Sequence, residues 1–165
     1  MKPEVAVGIL VTLCIVAGLY FQYHQTALTP EEAARAVLAE TDGEIVLARL
    51  PLQQAIIQRR GDGALALVTF EDPNCPYCAR LDAKLSRLDN AVIYTFLIPI
   101  LSDDSAAKSR RIWCAPDRAM AWNEWMLKRR IPDHAGDCDA SALDRNLELS
   151  DSLGIRGVPA LYRGR

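Results

Sequence analysis

Seven residues without a charge, Ala64-Leu65-Ala66-Leu67-Val68-Thr69-Phe70, run almost directly into Cys75-Pro76-Tyr77-Cys78. An apolar run of strand length, with no polar alternation, is the pattern of a strand buried on both faces. Such a strand needs helices on either side, which makes the domain α/β. Glu71-Asp72-Pro73-Asn74 ends the strand, and Cys75 to Cys78 opens a helix carrying Leu81, Leu85 and Leu88. Asn74 or Cys75 serves as its cap, and Pro76 suits its first turn. A second apolar run, Ala91 to Ile98, stops at Pro99. Strand, helix, strand is a βαβ unit, so the two strands are expected to be parallel.

Around this unit the pattern is helical. One helix is expected from about Ser102 to Cys114, and a second starts at Ala115-Pro116-Asp117 and carries Trp122, Trp125 and Met126. A loop from Ile131 to Cys138 leads to a third helix, Asp139 to Leu153, with Gly154 as its C-cap. The three Trp belong to the core, and Lys108/Arg110/Arg111 and Lys128/Arg129/Arg130 to solvated helix faces. The chain closes with a short strand entered through Val158-Pro159. Upstream, Thr29-Pro30-Glu31-Glu32 starts a helix that runs to about Ala39. Glu44 to Arg60 is expected to be a short strand, then an amphipathic turn or two with Leu52, Ile56 and Ile57, closed by Gly61-Asp62-Gly63.

The N-terminus carries a different signal. Val5 to Phe21 is apolar apart from Gly8, Thr12 and Gly18, and no Asp, Glu, Lys or Arg lies between Glu4 and Glu31. That length matches a bilayer's hydrocarbon core. A cleaved signal peptide is the alternative, but such segments exit through small residues, whereas this one exits through Tyr20-Phe21-Gln22-Tyr23. The segment is expected to be an uncleaved anchor over residues 5–23, with Lys2 holding the N-terminus in the cytoplasm and the rest of the chain outside it. Cys14 falls inside the span, which leaves four cysteines in an oxidising compartment. With 19 Lys and Arg against 21 Asp and Glu, the net charge of −2 offers no attraction for a phosphate backbone, and no nucleic-acid partner is expected.

The chemistry rests on Cys75 and Cys78. A thiol is a nucleophile only as thiolate, and helix N-termini favour that charge through their unpaired N–H groups. Cys75 holds that position and Cys78 lies one turn on, so the pair can close and reopen a disulfide, one sulfur attacking a substrate and the other resolving the mixed bond. Two other readings exist, an inert structural bridge and half of a zinc site. A bridge over two residues closes a loop too small to stabilise a fold much. Zinc sites usually offer a second close pair, whereas Cys114 and Cys138 stand 24 apart and His24 and His134 are poorly placed to replace them. No metal and no cofactor is therefore expected. Cys114 and Cys138 suit a structural pair whose bridge would be worth roughly 3 kcal/mol by the chain-entropy estimate.

These residues resemble the thioredoxin-fold disulfide isomerases of the bacterial periplasm, the DsbC/DsbG family. The likeness lies in the strand leading into Cys75-Pro76-Tyr77-Cys78, in Ile112-Trp113-Cys114-Ala115-Pro116-Asp117, in Cys138 with the helix after it, and in Gly157-Val158-Pro159-Ala160. The resemblance implies a cis bond at Val158-Pro159 facing the two cysteines, with the Val158 backbone pairing with an extended substrate. It also implies a structural disulfide between Cys114 and Cys138. That family's fold continues past the strand after Pro159 with another strand and a helix, which this sequence lacks, so Ala160 to Tyr162 is expected to be an exposed edge.

The resulting expectation is an N-terminal membrane helix (1–24), a short helical or linker region (25–60), and a thioredoxin-like α/β domain with a helical insert (61–165). Cys75 and Cys78 would be catalytic, with Val158, Pro159 and Tyr77 binding substrate. The function would be thiol–disulfide exchange on exported cysteine-containing proteins, together with a membrane redox partner, at the periplasmic face of the inner membrane or, after cleavage, free in the periplasm. The alternative is a membrane-anchored assembly or binding factor of a secretion or conjugation apparatus that does not depend on redox activity.

Overall fold

The computed structural model describes residues 28–133 and 136–165. The expected membrane span lies outside them. Among the described residues no helix is long and apolar enough to cross a membrane.

The first helix, α1 (Pro30–Leu38), is set by a capping box: the Glu32 amide donates to Thr29 Oγ1 at 3.3 Å, and the Thr29 amide donates back to Glu32 Oε2 at 2.9 Å. The strands are β1 (Glu44–Ile45), β2 (Ile56–Arg60), β3 (Leu65–Glu71), β4 (Ala91–Leu97) and β5 (Ala160–Gly164). They form one sheet in the order β1-β5-β3-β4-β2. As the apolar runs require, β3 and β4 are parallel, in register from Leu65 opposite Ala91 to Glu71 opposite Leu97. Helix α2 (Pro76–Leu85) connects them. Leu67 joins Leu81 and Leu85 of α2, with Ala33 and Val37 of α1 packed behind. Val68 and Phe70 point to the other face, where Phe70 stacks on Phe96 at 5.0 Å.

The insert comprises α3 (Asp103–Trp113, capped by Ser102), α4 (Arg118–Lys128, capped by Asp117) and α5 (Ser141–Ser152). The last starts two residues later than its sequence pattern implies. Trp113 and Trp122 are buried in the cluster that also holds Cys75, Cys78 and Cys114, with Trp125 packed at its margin. Lys108 departs from the expected solvated face: its ammonium stands 4.6 Å from the centre of the Trp125 ring.

Two expectations are corrected. Ile56 and Ile57 form no amphipathic turn but begin β2, antiparallel to β4 from Ile56 opposite Thr95 to Arg60 opposite Ala91. Residues 44–60 thus supply two of the five strands, and a domain boundary at 61 would cut through the sheet. Nor is β5 an open edge. It lies between β3 and β1, with Glu44 opposite Arg163 and Ile45 opposite Gly164. Gly164 permits this approach, since a Cβ there would lie 2.8 Å from Leu47 Cδ2. Asp42 locks the junction, its amide donating to Leu161 O at 2.6 Å and its Oδ2 accepting from Leu161 N at 2.8 Å.

Candidate active site

At the C-terminal end of β3 the chain turns into α2, and one buried carboxylate shapes the turn. Asp72 Oδ1 accepts the Asn74 amide at 2.7 Å and the Ser105 hydroxyl at 2.8 Å, and its Oδ2 accepts the Leu101 amide at 3.0 Å. The carboxylate is fully buried, and its three donors supply what desolvation removes. The turn is thereby fixed to the start of α3. Trp125 holds it from the other side, its indole N–H donating to Pro73 O at 2.6 Å.

Cys75 itself caps α2, with Pro76 at the first helical position. Its sulfur accepts the Cys78 amide at 3.2 Å, so the first thiol sits where the helix leaves donors free. Both thiols are unbridged, Cys75 3% exposed and Cys78 wholly buried. The Val158–Pro159 peptide is cis, and the Cys75 thiol donates to Val158 O at 3.6 Å. Tyr77, 63% exposed, stands beside this junction with Arg80 over its ring at 5.1 Å. The structure thus brings Cys75, Cys78, Val158, Pro159 and Tyr77 to one end of the sheet. Cys114 and Cys138 are bridged, with Cα atoms 5.6 Å apart, tying the end of α3 to the segment before α5. Among the described residues no group of three or more His, Cys, Asp or Glu is placed to hold a metal ion.

Beneath the thiols lies a layer that the sequence only half reveals. Glu71, the last residue of β3, is fully buried, with Thr69 and Asp82 as its side-chain neighbours. Asp82, which the sequence reading passes over, is 3% exposed and meets it from α2. The signal for Asp82 was available: it follows Cys78 by four residues, so both occupy one face of the helix. Trp122 Nε1 donates to Asp82 Oδ1 at 3.2 Å. Burial pushes both carboxyls above the ordinary range, and the charge of Asp82 raises Glu71 further. Burial also pushes the Cys78 thiol up, with the negative charge of Glu71 adding to it. Glu71 and Asp82 therefore titrate as a pair that retains a proton next to a thiol that resists losing one.

A dithiol with one sulfur at a helix N-terminus and the other buried over a proton-holding carboxyl pair can form and resolve a mixed disulfide. The comparisons with known proteins agree with that chemistry. The thioredoxin-like domain pattern matches residues 52–163. The chain is 43% identical over 136 residues to the probable thiol:disulfide interchange protein DsbC of Bordetella pertussis, covering 82% of this chain and 48% of that protein. It is 47% identical over 113 residues to the counterpart from Bordetella parapertussis, covering 68% of this chain and 40% of that one. Among solved structures, a disulfide interchange protein of Neisseria gonorrhoeae matches with a TM-score of 0.64 at 37% identity, over 68% of this chain and 81% of that one. The chain spans about half the length, or less, of these curated relatives.

Proposed function

The chain belongs to the thioredoxin-like family and resembles its DsbC/DsbG thiol:disulfide interchange proteins, and from that premise we propose that it exchanges thiols and disulfides on exported proteins through Cys75 and Cys78. What carries the reading is the place of the Cys75 sulfur, 3.2 Å from the Cys78 amide and 3.6 Å from Val158 O. An extended segment laid along residues 157–158 would present its own sulfur there, with Pro159 and Tyr77 at its side.

In the first step the Cys75 thiolate attacks one sulfur of a substrate disulfide. The Cys75–substrate bond forms, the substrate's S–S bond breaks, and its second sulfur leaves as a thiolate that picks up a proton. From there two branches open. In isomerisation a substrate thiolate attacks the mixed bond and frees Cys75, with no net electron transfer. In reduction Cys78 passes its proton to the Glu71–Asp82 pair and attacks the Cys75 sulfur. The Cys75–Cys78 disulfide forms, and the substrate leaves as a dithiol that has gained two electrons. A dithiol donor at the membrane then reduces the pair again.

The domain works on the periplasmic side of the inner membrane, held there by residues 5–23. Retention of the full chain in the membrane pellet after carbonate extraction tests the anchor, and a processed soluble form would refute it. The chemistry is tested by trapping: Cys78→Ala should accumulate covalent complexes with exported proteins that reductant dissolves, and Cys75→Ala should form none. Equal behaviour of the two variants would remove the proposal.

A further inference from the structure

Beside Tyr77 a groove of about 420 Å³ runs along α2, between that helix and the segment after α1. Its floor is apolar, made by Leu81, Pro159 and Leu161, and four charged side chains line its walls: Arg80 and Lys84 on α2, Glu40 and Asp42 opposite. Lys84 and Glu40 pair with each other, whereas Asp42 has a backbone partner and no cation among the described residues. Lys84 Nζ is 2.6 Å from both carboxylate oxygens of Glu40, and Asp42 Oδ2 accepts the Leu161 amide at 2.8 Å. Arg80 pairs with no carboxylate among the described residues. Its guanidinium lies over the exposed Tyr77 ring, 5.1 Å from the centre, and Tyr77 is the lining residue closest to Cys75 along the chain.

We infer that this groove is a subsite for an acidic side chain of the substrate, two residues from its reacting cysteine, with Arg80 as the residue that selects it. The inference rests on the exchange reading above. Two dimensions support the spacing. Arg80 follows Cys75 by five residues, an axial rise of about 7.5 Å on a helix. Two residues of extended peptide span about 7 Å, and their side chains leave the same face. The apolar floor suits the methylene stem of a glutamate, and the Arg80 guanidinium in its wall suits the carboxylate.

The test uses the full-length chain carrying Cys78→Ala, so that capture by Cys75 is not followed by resolution. The probes are short peptides with one cysteine activated as the thionitrobenzoate disulfide, and with Glu, Gln or Lys two residues before or after it. Cys75 attacks the peptide sulfur, the bond to thionitrobenzoate breaks, and the coloured thiolate leaves, so its release reads the capture rate. At one of the two positions Glu should be captured about threefold to fivefold faster than Gln and Lys should be slowest, with the spread shrinking as salt rises. Arg80→Gln should abolish the ranking and Arg80→Glu should invert it. An unchanged ranking in both variants, or equal rates for all peptides while capture itself proceeds, overturns the subsite and leaves exchange standing. A protein whose Cys75 captures none of the peptides loses the exchange reading and the subsite with it.

Discussion

The indole N–H of Trp122 donates to Asp82 Oδ1 at 3.2 Å, deep in the helical cluster above the sheet. The bond offsets part of the burial of that carboxyl, whose other side-chain partner is Glu71. Trp122→Phe removes the donor and leaves a void beside α2. The expected loss is roughly 2–4 kcal/mol, from the lost volume and the orphaned oxygen together. Chemical denaturation reads it as a lower midpoint. Because the bond also holds the Asp82 pKa down, the variant should titrate at higher pH than the parent.

The pH dependence of stability follows from the same carboxyl. Asp82 is pushed up from 3.8 to about 7 in the folded chain, mainly by burial. Within that window the folded state holds a proton that the unfolded state gives up, so unfolding gains as pH rises. Stability should fall from about pH 4 toward pH 7, opposite to the trend of an ion-paired aspartate, and Glu71 acts in the same direction. Denaturation midpoints across this range should slope downward in the parent and less steeply in Asp82→Asn, where burial still holds Glu71 up.

Glu71 governs the second half of the proposed cycle. Its carboxyl is next to a thiol that burial holds protonated, and Cys78 must lose that proton to attack the mixed bond. Glu71→Gln should leave capture by Cys75 unchanged and slow resolution by on the order of 100-fold. Rapid-quench alkylation separates the two steps. A purely structural role would lower stability without moving the pH profile of resolution, whereas loss of a proton acceptor should move that profile.

Why some of this was legible and some not has a physical basis. The β3–α2–β4 unit is encoded locally: each strand is an unbroken apolar run, and the helix between them carries its own cap. Ser102 and Asp117 likewise announce α3 and α4. The strand β2 hides because its inward positions are mixed. Ile56 and Gln58 are both buried, the latter because its amide donates to Asn123 Oδ1 at 2.8 Å, a partner 65 residues away. The two-residue β1 has no periodicity to read, and its register depends on Asp42 meeting Leu161. Cys75 and Cys78 stood out by spacing, but the depth of Glu71 and its meeting with Asp82 are products of α2 packing on the sheet.

The disulfide between Cys114 and Cys138 is separable from the dithiol. It closes a loop of 24 residues outside the β3–α2 turn, and its effect on the unfolded chain is expected to be about 3 kcal/mol. Replacing both cysteines with Ala should lower the denaturation midpoint accordingly. Capture of an activated disulfide by Cys75 should stay within about twofold of the parent below the unfolding transition, because the bridge acts mainly on the unfolded state.

The strand that follows Pro159 is held on its outer side by very little chain, which makes Asp42 worth isolating. Its amide and its carboxylate both bind Leu161, at 2.6 and 2.8 Å, and Arg163 N then donates to Gly43 O at 2.9 Å. Asp42→Ala keeps the amide but strips Leu161 N of its acceptor at a position where water can partly replace it. The expected cost is about 1 kcal/mol, felt as local opening rather than global unfolding. Hydrogen exchange at Leu161 and Arg163 should accelerate about fivefold, the factor that this energy implies. The amides that bond β3 to β4 should keep their protection, since that pairing lies on the far side of β3. Unchanged exchange at Leu161 would mean that β3 alone holds β5 in place, and that the segment around Asp42 lies against the edge without securing it.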